Sequence, residues 1–157
     1  MRIMGLDLGD ATIGVAISDE LLWFGQAVTV IRRVGWKKDV EQLKVLIEEN
    51  DVQLIVIGLP KNMDGSLGER AEIAMKFANR LSGAFLGVKV ELWDERLTTV
   101  SAERMLIAAD VRREKRRQVI DKTAAAIILQ SYLDARENRE KRMASEKAAA
   151  MLDKERN

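Results

Sequence analysis

The chain has 157 residues, with 26 Lys or Arg against 25 Asp or Glu, so its formal net charge is only +1. It contains no Cys, which excludes a disulfide framework and a thiolate nucleophile. It also contains no His, which excludes His-based proton transfer and nearly every zinc site, and leaves open a hard cation with oxygen ligands, such as Mg²⁺ or Mn²⁺.

Length and hydropathy predict a single soluble domain. No apolar stretch approaches the ~20 residues that a membrane-spanning helix needs. The N-terminus has no signal-peptide pattern. We therefore expect a cytoplasmic protein without a membrane partner.

The first strand of the chain carries a carboxylate. Apart from Gly5 and Asp7, residues 3–8 are apolar on both faces, which is typical of a central strand. A buried carboxylate is costly unless it is paired, hydrogen-bonded or bound to a cation, so Asp7 is expected to face a site. Residues 13–19 predict a second strand, and the short connection to it predicts an antiparallel hairpin.

Beyond this hairpin, the apolar spacing predicts strands that alternate with helices. Short β-branched runs indicate strands, and spacing of three and four residues indicates helices. This pattern favours a mixed sheet with helices on its faces. The predicted elements are a third strand at about 26–33, a helix at 40–47, a buried strand at 53–58, a helix at 71–81, a strand at 88–93, a short helix at 102–109 and a longer helix at 120–133.

The connection at residues 58–65 contains the only proline and cannot be helical. Ser66 and Glu69 have the spacing of a capping box, which predicts that the next helix begins there. A loop that leads into a helix N-terminus is a candidate phosphate cradle, although an ordinary strand-to-helix connection explains it equally well.

Two acids, Asp94 and Glu95, follow the predicted strand at 88–93, where ligands of open α/β sheets collect. Adjacent strand residues point to opposite faces, so we expect only one of the two to meet Asp7. Spacing alone does not say which. The other acid is expected to pair with Arg96 or to lie in solvent.

A third acid, Asp121, lies beside the apolar face of the last predicted helix. Each of these acids also has an ordinary alternative: the positive end of its helix dipole favours Asp121, and the turn at residues 9–12 offers hydrogen bonds to Asp7, although a site remains the expectation for Asp7. Together, acids on three distant elements match what metal-assisted phosphoryl transfer requires. Two divalent ions about 4 Å apart position a water and stabilise the leaving oxygen. Carboxylates crowded together without a cation would repel one another.

The most basic segment of the chain, residues 112–117, lies just before Asp121. A solvated loop is the ordinary interpretation of such a charge run. Near the proposed acids, however, it fits a polyanionic substrate, because contacts to phosphates give affinity that is independent of sequence. The residues expected to bind nucleic acid here are Arg112, Arg113, Lys115, Arg116 and Arg117.

Four sets of motif residues occur in order over about residues 1–135. They are Gly5–Gly9 with Ile13–Ala16 and Ser18-Asp19, Gly58–Pro60 with Met63–Gly65 and Gly68, Asp94–Thr99, and Asp121 with Ala124-Ala125 and Ile128–Gln130. As a set, they resemble the YqgF family, also called RuvX-like, whose members are RNase H-fold proteins regarded as Holliday-junction resolvases or pre-16S rRNA nucleases. Residues 136–157, rich in Ala, Glu, Lys and Arg, are predicted to be a charged C-terminal extension, helical or frayed, outside the nuclease domain at 1–135.

The resemblance implies an α/β, RNase H-like three-layer fold. Its five-stranded mixed sheet would have three antiparallel leading strands and helices on both faces. The resemblance also implies that Asp7, Glu95 and Asp121 are the catalytic acids and bind Mg²⁺ or Mn²⁺, which favours Glu95 over Asp94 by analogy. It implies substrate contacts from Lys61, Arg96 and Thr98.

One position departs from the family pattern. Many relatives have a basic residue soon after the first glycine pair, whereas this chain has Asp10-Ala11. An acid at this position argues against direct binding of phosphate by the turn.

The leading hypothesis is a metal-dependent endonuclease that processes the 5′ end of pre-16S rRNA in ribosome biogenesis. Its partners would be nucleic acid and ribosomal precursor particles, and the protein would be a monomer or a weak homodimer. Three alternatives stay open. The first is a Holliday-junction resolvase, which cuts two strands symmetrically and so usually works as a dimer. The others are a sugar-kinase or actin-like ATPase fragment, for which 157 residues leave little room, and a non-catalytic RNA-binding factor of ribosome assembly.

Overall fold

A five-stranded sheet dominates the computed structural model, which describes residues 1–97 and 124–156. The strand order is β3-β2-β1-β4-β5, with antiparallel pairing among the first three strands and parallel pairing of β1 with β4 and of β4 with β5. The predicted mixed sheet is therefore confirmed. The strands are β1 (Arg2–Leu8), β2 (Thr12–Ser18), β3 (Gly25–Arg32), β4 (Val52–Leu59) and β5 (Lys89–Asp94); the helices are α1 (Trp36–Glu49), α2 (Glu69–Ala84) and α3 (Ala124–Arg156), with a 3₁₀ turn at Glu95–Leu97.

Helices cover both faces of the sheet, which explains the continuous apolar run of β1. Met4 and Leu6 face one core layer together with buried residues of α1 and α2. Ile3 faces the other layer, where it meets Leu129 of α3. All three β1 side chains are fully buried, because successive residues of a central strand point to opposite faces. The molecule is a three-layer α/β sandwich.

The parallel arrangement of β1, β4 and β5 decides where a site can form. Parallel strands present their carboxyl ends at one edge of the sheet, where α/β proteins bind ligands. Leu59 of β4 pairs with Asp94 of β5, and Leu6 of β1 pairs with Ile57. Asp7 and the Asp94–Glu95 pair therefore lie at the same edge, although they are far apart in sequence.

The predicted capping box at the start of α2 is wrong. Gly68 is the N-cap residue, and no side chain caps the helix. The Ser66 hydroxyl instead donates to Asp64 at 2.6 Å, and the Ser66 backbone N–H donates to the same carboxylate at 2.9 Å. A local turn therefore competes successfully for the hydroxyl that the capping box would have used.

The last helix extends well past the predicted helix at 120–133. α3 runs from Ala124 to Arg156, and its side chains are exposed from residue 137 onward. The division into a nuclease domain and a charged extension stays a prediction. The predicted helix at 102–109 and residues 120–123 lie outside the described residues. No helix in the described ranges is long and apolar enough to cross a membrane.

The contact between β1 and α3 yields a stability prediction. A Cβ at Gly5 would lie 2.7 Å from Leu129 Cβ and 3.0 Å from the Ala125 carbonyl oxygen. Gly5→Ala should therefore overpack this layer and lower the free energy of unfolding by about 1–3 kcal/mol. The measurement is urea denaturation.

Gly83→Ala is the matched control, since a Cβ at this position in α2 meets nothing within 4 Å. It should raise the free energy of unfolding by about 0.5–1 kcal/mol, because Ala loses less backbone entropy than Gly. Equal stability of the Gly5→Ala and wild-type proteins would contradict the close packing of α3 on β1.

Candidate active site

Asp7 and Glu95 line one small pocket at the carboxyl edge of the sheet, with a volume of about 70 Å³. Asp7 is the penultimate residue of β1, and Glu95 begins the 3₁₀ turn that follows β5. Both side chains are half-buried. The fold thus brings two of the three predicted catalytic acids together. The third, Asp121, lies outside the described residues.

Gly58 of β4 makes room for the Glu95 carboxylate. A Cβ at Gly58 would lie 2.5 Å from Glu95 Oε1 and 2.8 Å from Ile128 Cδ1. The carboxylate therefore occupies the space that any larger residue at position 58 would fill. Since β4 lies between β1 and β5, the missing side chain lets Glu95 reach across β4 toward Asp7. Gly58 is a positioning residue in this arrangement.

The environment of the pocket disfavours the charged forms of both acids. Burial raises the pKa of Glu95, and the negative charge of Asp7 raises it further. Burial also raises the pKa of Asp7. The guanidinium of Arg70 opposes both shifts. Two like charges held together in this way favour the binding of a cation or a proton.

Asp94, next to Glu95 in sequence, lies in an environment that favours its charged form. Arg96 donates to Asp94 from its backbone N–H at 3.0 Å and from Nη2 at 2.7 Å. Lys61 Nζ lies 3.8 Å from the same carboxylate. The hydrogen bonds from Arg96 hold the pKa of Asp94 below its usual range. The geometry therefore places Glu95 beside Asp7 and gives Asp94 the predicted pairing with Arg96.

Two arginines that the sequence analysis did not single out also line the pocket. Arg33 follows β3, and its Nη1 donates to the carbonyl oxygen of Gly9 at 2.8 Å. Arg70, in the first turn of α2, pairs with Asp10 at 3.4 Å. No spacing of residues in the sequence marks these arginines. The end of β3 and the start of α2 come together at this edge only in the folded sheet. Asp10, the departure from the family pattern, is the partner of Arg70.

The predicted nucleic-acid contacts divide into described and undescribed residues. Lys61 and Arg96 lie at the carboxyl edge and share Asp94 as their acidic partner. Outside the described residues are Thr98, Arg112, Arg113, Lys115, Arg116 and Arg117.

The donor atoms of the pocket suit a hard divalent cation. Asp7 and Glu95 offer only oxygen atoms, which Mg²⁺ and Mn²⁺ prefer. Across residues 1–97 and 124–156, no group of three or more acidic side chains is assembled that could hold a metal ion. Two carboxylates form the described part of the candidate centre, and Asp121 stays its predicted third member.

Comparison with known proteins supports the interpretation of the motifs. The sequence model described as "RuvX: Holliday junction resolvase" matches residues 1–135. The "Putative pre-16S rRNA nuclease" of Clostridioides difficile (strain 630) is 58% identical over 137 residues, which cover 87% of this chain and 96% of the relative. A protein of the same name from Thermoanaerobacter pseudethanolicus is 54% identical over 88% of this chain and all of the relative. The predicted resemblance is confirmed, and so is the predicted nuclease class at the level of the family.

A solved structure supports the fold. T. thermophilus RuvC, in complex with a Holliday-junction substrate, aligns with a TM-score of 0.56 at 12% sequence identity. The alignment covers 88% of this chain and 96% of RuvC. At this identity the likeness concerns the fold alone, and it confirms the predicted RNase H-like class.

The raised pKa values predict how stability depends on pH. The pKa of Asp7 in the folded chain lies above its value in the unfolded chain. Stability therefore falls as the pH rises through the range between these two pKa values. Asp7→Asn removes the charge and should raise Tm at neutral pH in EDTA. The gain should be about 2–4 °C for each kcal/mol recovered. It should vanish below pH ~4, where wild-type Asp7 is protonated. Thermal scans across pH would measure this.

Asp19→Asn is the control of opposite sign. The backbone N–H groups of Phe24 and Trp23 donate to the Asp19 carboxylate and lower its pKa. Loss of this charge should lower Tm at neutral pH, and the difference should shrink as the pH falls. A lower Tm for Asp7→Asn than for wild type at neutral pH would contradict the electrostatics of the pocket.

Proposed function

Because this chain belongs to the RuvX family, we propose that it is a metal-dependent endonuclease that cleaves phosphodiester bonds in structured nucleic acid. We take its substrate to be the 5′ region of precursor 16S rRNA, which the names of its relatives support. The observation that carries the proposal is the convergence of Asp7 and Glu95 in one pocket. The proposed setting is the cytoplasm, with ribosomal precursor particles as partners and a monomer or weak homodimer as the working form.

Asp7, Glu95 and, from the family resemblance, Asp121 would hold Mg²⁺ or Mn²⁺. The donors are all oxygen atoms, and a cation would relieve the repulsion that raises the pKa of Glu95. When bound, such cations supply activation of a water nucleophile and stabilisation of the leaving oxygen. The two described carboxylates would fix the cations at the edge where β1 and β5 end.

The arginines of the pocket would bind the substrate phosphate. Arg33 and Arg70 offer planar guanidinium groups, which donate in pairs to phosphate oxygens. Donors that are already in place stabilise charge as it develops in the transition state. Lys61 and Arg96, held by Asp94, would contact the substrate strand beside the pocket. Thr98 and the basic residues at 112–117 are proposed as further contacts.

A DNA resolvase is the second candidate, because the matching family model is described in those terms. The same acids would perform the same hydrolysis on a four-way junction. Competition between precursor 16S rRNA and a synthetic junction for one enzyme preparation would separate the two candidates. Preferential cleavage of the junction in paired, symmetrical cuts would favour the resolvase.

Removal of either carboxylate should strongly reduce the rate of cleavage. Asp7→Asn and Glu95→Gln should each lower the cleavage rate of labelled precursor 16S rRNA in Mg²⁺ or Mn²⁺ by at least ~100-fold, the usual scale for loss of a charge-stabilising group. Asp94→Asn should retain more activity than Glu95→Gln. Gel analysis of single-turnover reactions gives the rates.

Asp51→Asn is the matched control for this loss of charge. Asp51 lies at the opposite edge of the sheet and has φ of 51°, a conformation that Asn readily adopts. The Asp51→Asn protein should cleave at the wild-type rate. Persistent cleavage by both Asp7→Asn and Glu95→Gln would rule out the proposed mechanism.

Gly58→Ala tests the position of Glu95 rather than its charge. The new methyl group would overlap flexible side-chain ends, Glu95 Oε1 and Ile128 Cδ1, which can move aside. Stability should therefore fall by only ~1 kcal/mol, whereas displacement of the carboxylate should lower the cleavage rate by about 10- to 100-fold. The two measurements are urea denaturation and single-turnover cleavage. Wild-type activity of the Gly58→Ala protein would contradict the role of Gly58 in positioning the Glu95 carboxylate.

A further inference from the structure

A larger cavity opens beside the carboxylate pocket, between the N-terminal turn of α1 and one face of α2. Its volume is about 460 Å³. Asp10, Arg33 and Ile73 line both cavities, so the two adjoin. We call the larger cavity the α1–α2 groove.

Three cations line the α1–α2 groove, namely Arg33, Lys76 and Arg80. Lys76 and Arg80 are four residues apart on α2 and so project from the same side of the helix. The Arg80 guanidinium lies 4.0 Å from the centre of the Trp36 ring. Trp36 in turn packs edge-on against Phe77 at 5.6 Å, which fixes the ring. This stacking pre-organises Arg80 at the wall of the groove.

The acids of the groove are engaged elsewhere. Asp39 is buried and accepts a hydrogen bond from the Val34 N–H at 3.2 Å. Asp10 forms the ion pair with Arg70. By contrast, Lys76 and Arg80 are exposed and, within residues 1–97 and 124–156, form no ion pair with an acid. Their charges are therefore available to an anionic ligand.

We propose that the α1–α2 groove binds the backbone phosphates of single-stranded RNA next to the bond that is cut. This inference rests on the proposed function, since it makes the groove a continuation of the catalytic pocket. Lys and Arg side chains are the usual partners of backbone phosphates. The volume is that of a small-ligand site, which suits a short piece of a single strand rather than a duplex. The stacked Arg80 also offers a planar surface to a base.

The test compares RNA binding by two double variants, each of which loses two cations. Lys76→Gln/Arg80→Gln removes charge from the groove. Lys44→Gln/Lys89→Gln removes it from an exposed site on α1 and from the start of β5, at the opposite edge of the sheet. The probe is fluorescein-labelled poly-uridine RNA, followed by anisotropy in EDTA between about 50 and 200 mM KCl.

The groove variant should bind at least ~tenfold more weakly than wild type. Its slope of log affinity against log salt concentration should be less negative by about 1.4, or ~0.7 for each lost phosphate contact. The control variant should match wild type. Should the double variant have a lowered Tm, exposed Lys76→Gln alone should still make the slope less negative by ~0.7.

Equal effects of the groove and control variants, no effect of the groove variant, or no binding by wild type would each overturn the inference. So would equally effective competition by duplex DNA and by unlabelled RNA. The cleavage assay in Mg²⁺ keeps the two proposals distinct. Groove-dependent binding without cleavage would reject the nuclease proposal and support RNA binding in the groove. Cleavage with groove-independent binding would support the nuclease proposal and reject RNA binding in the groove.

Discussion

The repulsion between the carboxylates of Asp7 and Glu95 is the constraint on which the candidate site depends. Burial and the charge of Asp7 raise the pKa of Glu95, so the fold holds a pair whose ionised form is unfavourable. A sequence selected for stability alone would separate these charges or replace them with apolar residues. The pair persists here because β1 and β5 flank β4 and end at the same edge. Positive charge from Arg70 then becomes part of what makes the arrangement stable, and the proposed cation would add to it.

The sheet was predictable from the sequence because its strands are short apolar runs with sharp limits. Residues 3–8 indicated a central strand, and β1 is indeed buried on both faces. Element boundaries were less predictable where two local interactions compete. Ser66 had the spacing of a helix cap, yet the Asp64 carboxylate accepts its hydroxyl hydrogen and the helix begins at Glu69 without a side-chain cap. Spacing rules describe each interaction separately and do not rank them.

The candidate site was predictable only in part, for reasons that differ between residues. Asp7 was identifiable because an acid in a buried strand requires an explanation. The choice between Asp94 and Glu95 was not resolved by alternation, because the strand ends at Asp94 and Glu95 begins a 3₁₀ turn. Arg33 and Arg70 gave no signal at all, since their proximity arises from the strand order rather than from spacing. The roles of Asp121 and of the basic residues at 112–117 stay predictions.

Arg33 joins the two cavities in one electrostatic arrangement. It binds the Gly9 carbonyl in the β1–β2 turn, lies 6.0 Å from the Phe77 ring on α2, and lines both the acidic pocket and the basic groove. Bound cations would neutralise the acidic pocket, and backbone phosphates would neutralise the basic groove. A nucleic-acid strand that crosses both would therefore meet cations at one position and protein cations of the groove at the next. Because a cation in the acidic pocket and phosphates in the adjoining groove attract one another, binding of one should strengthen binding of the other, and by thermodynamic linkage the effect is reciprocal. Substrate and cations would then assemble at this edge together rather than independently.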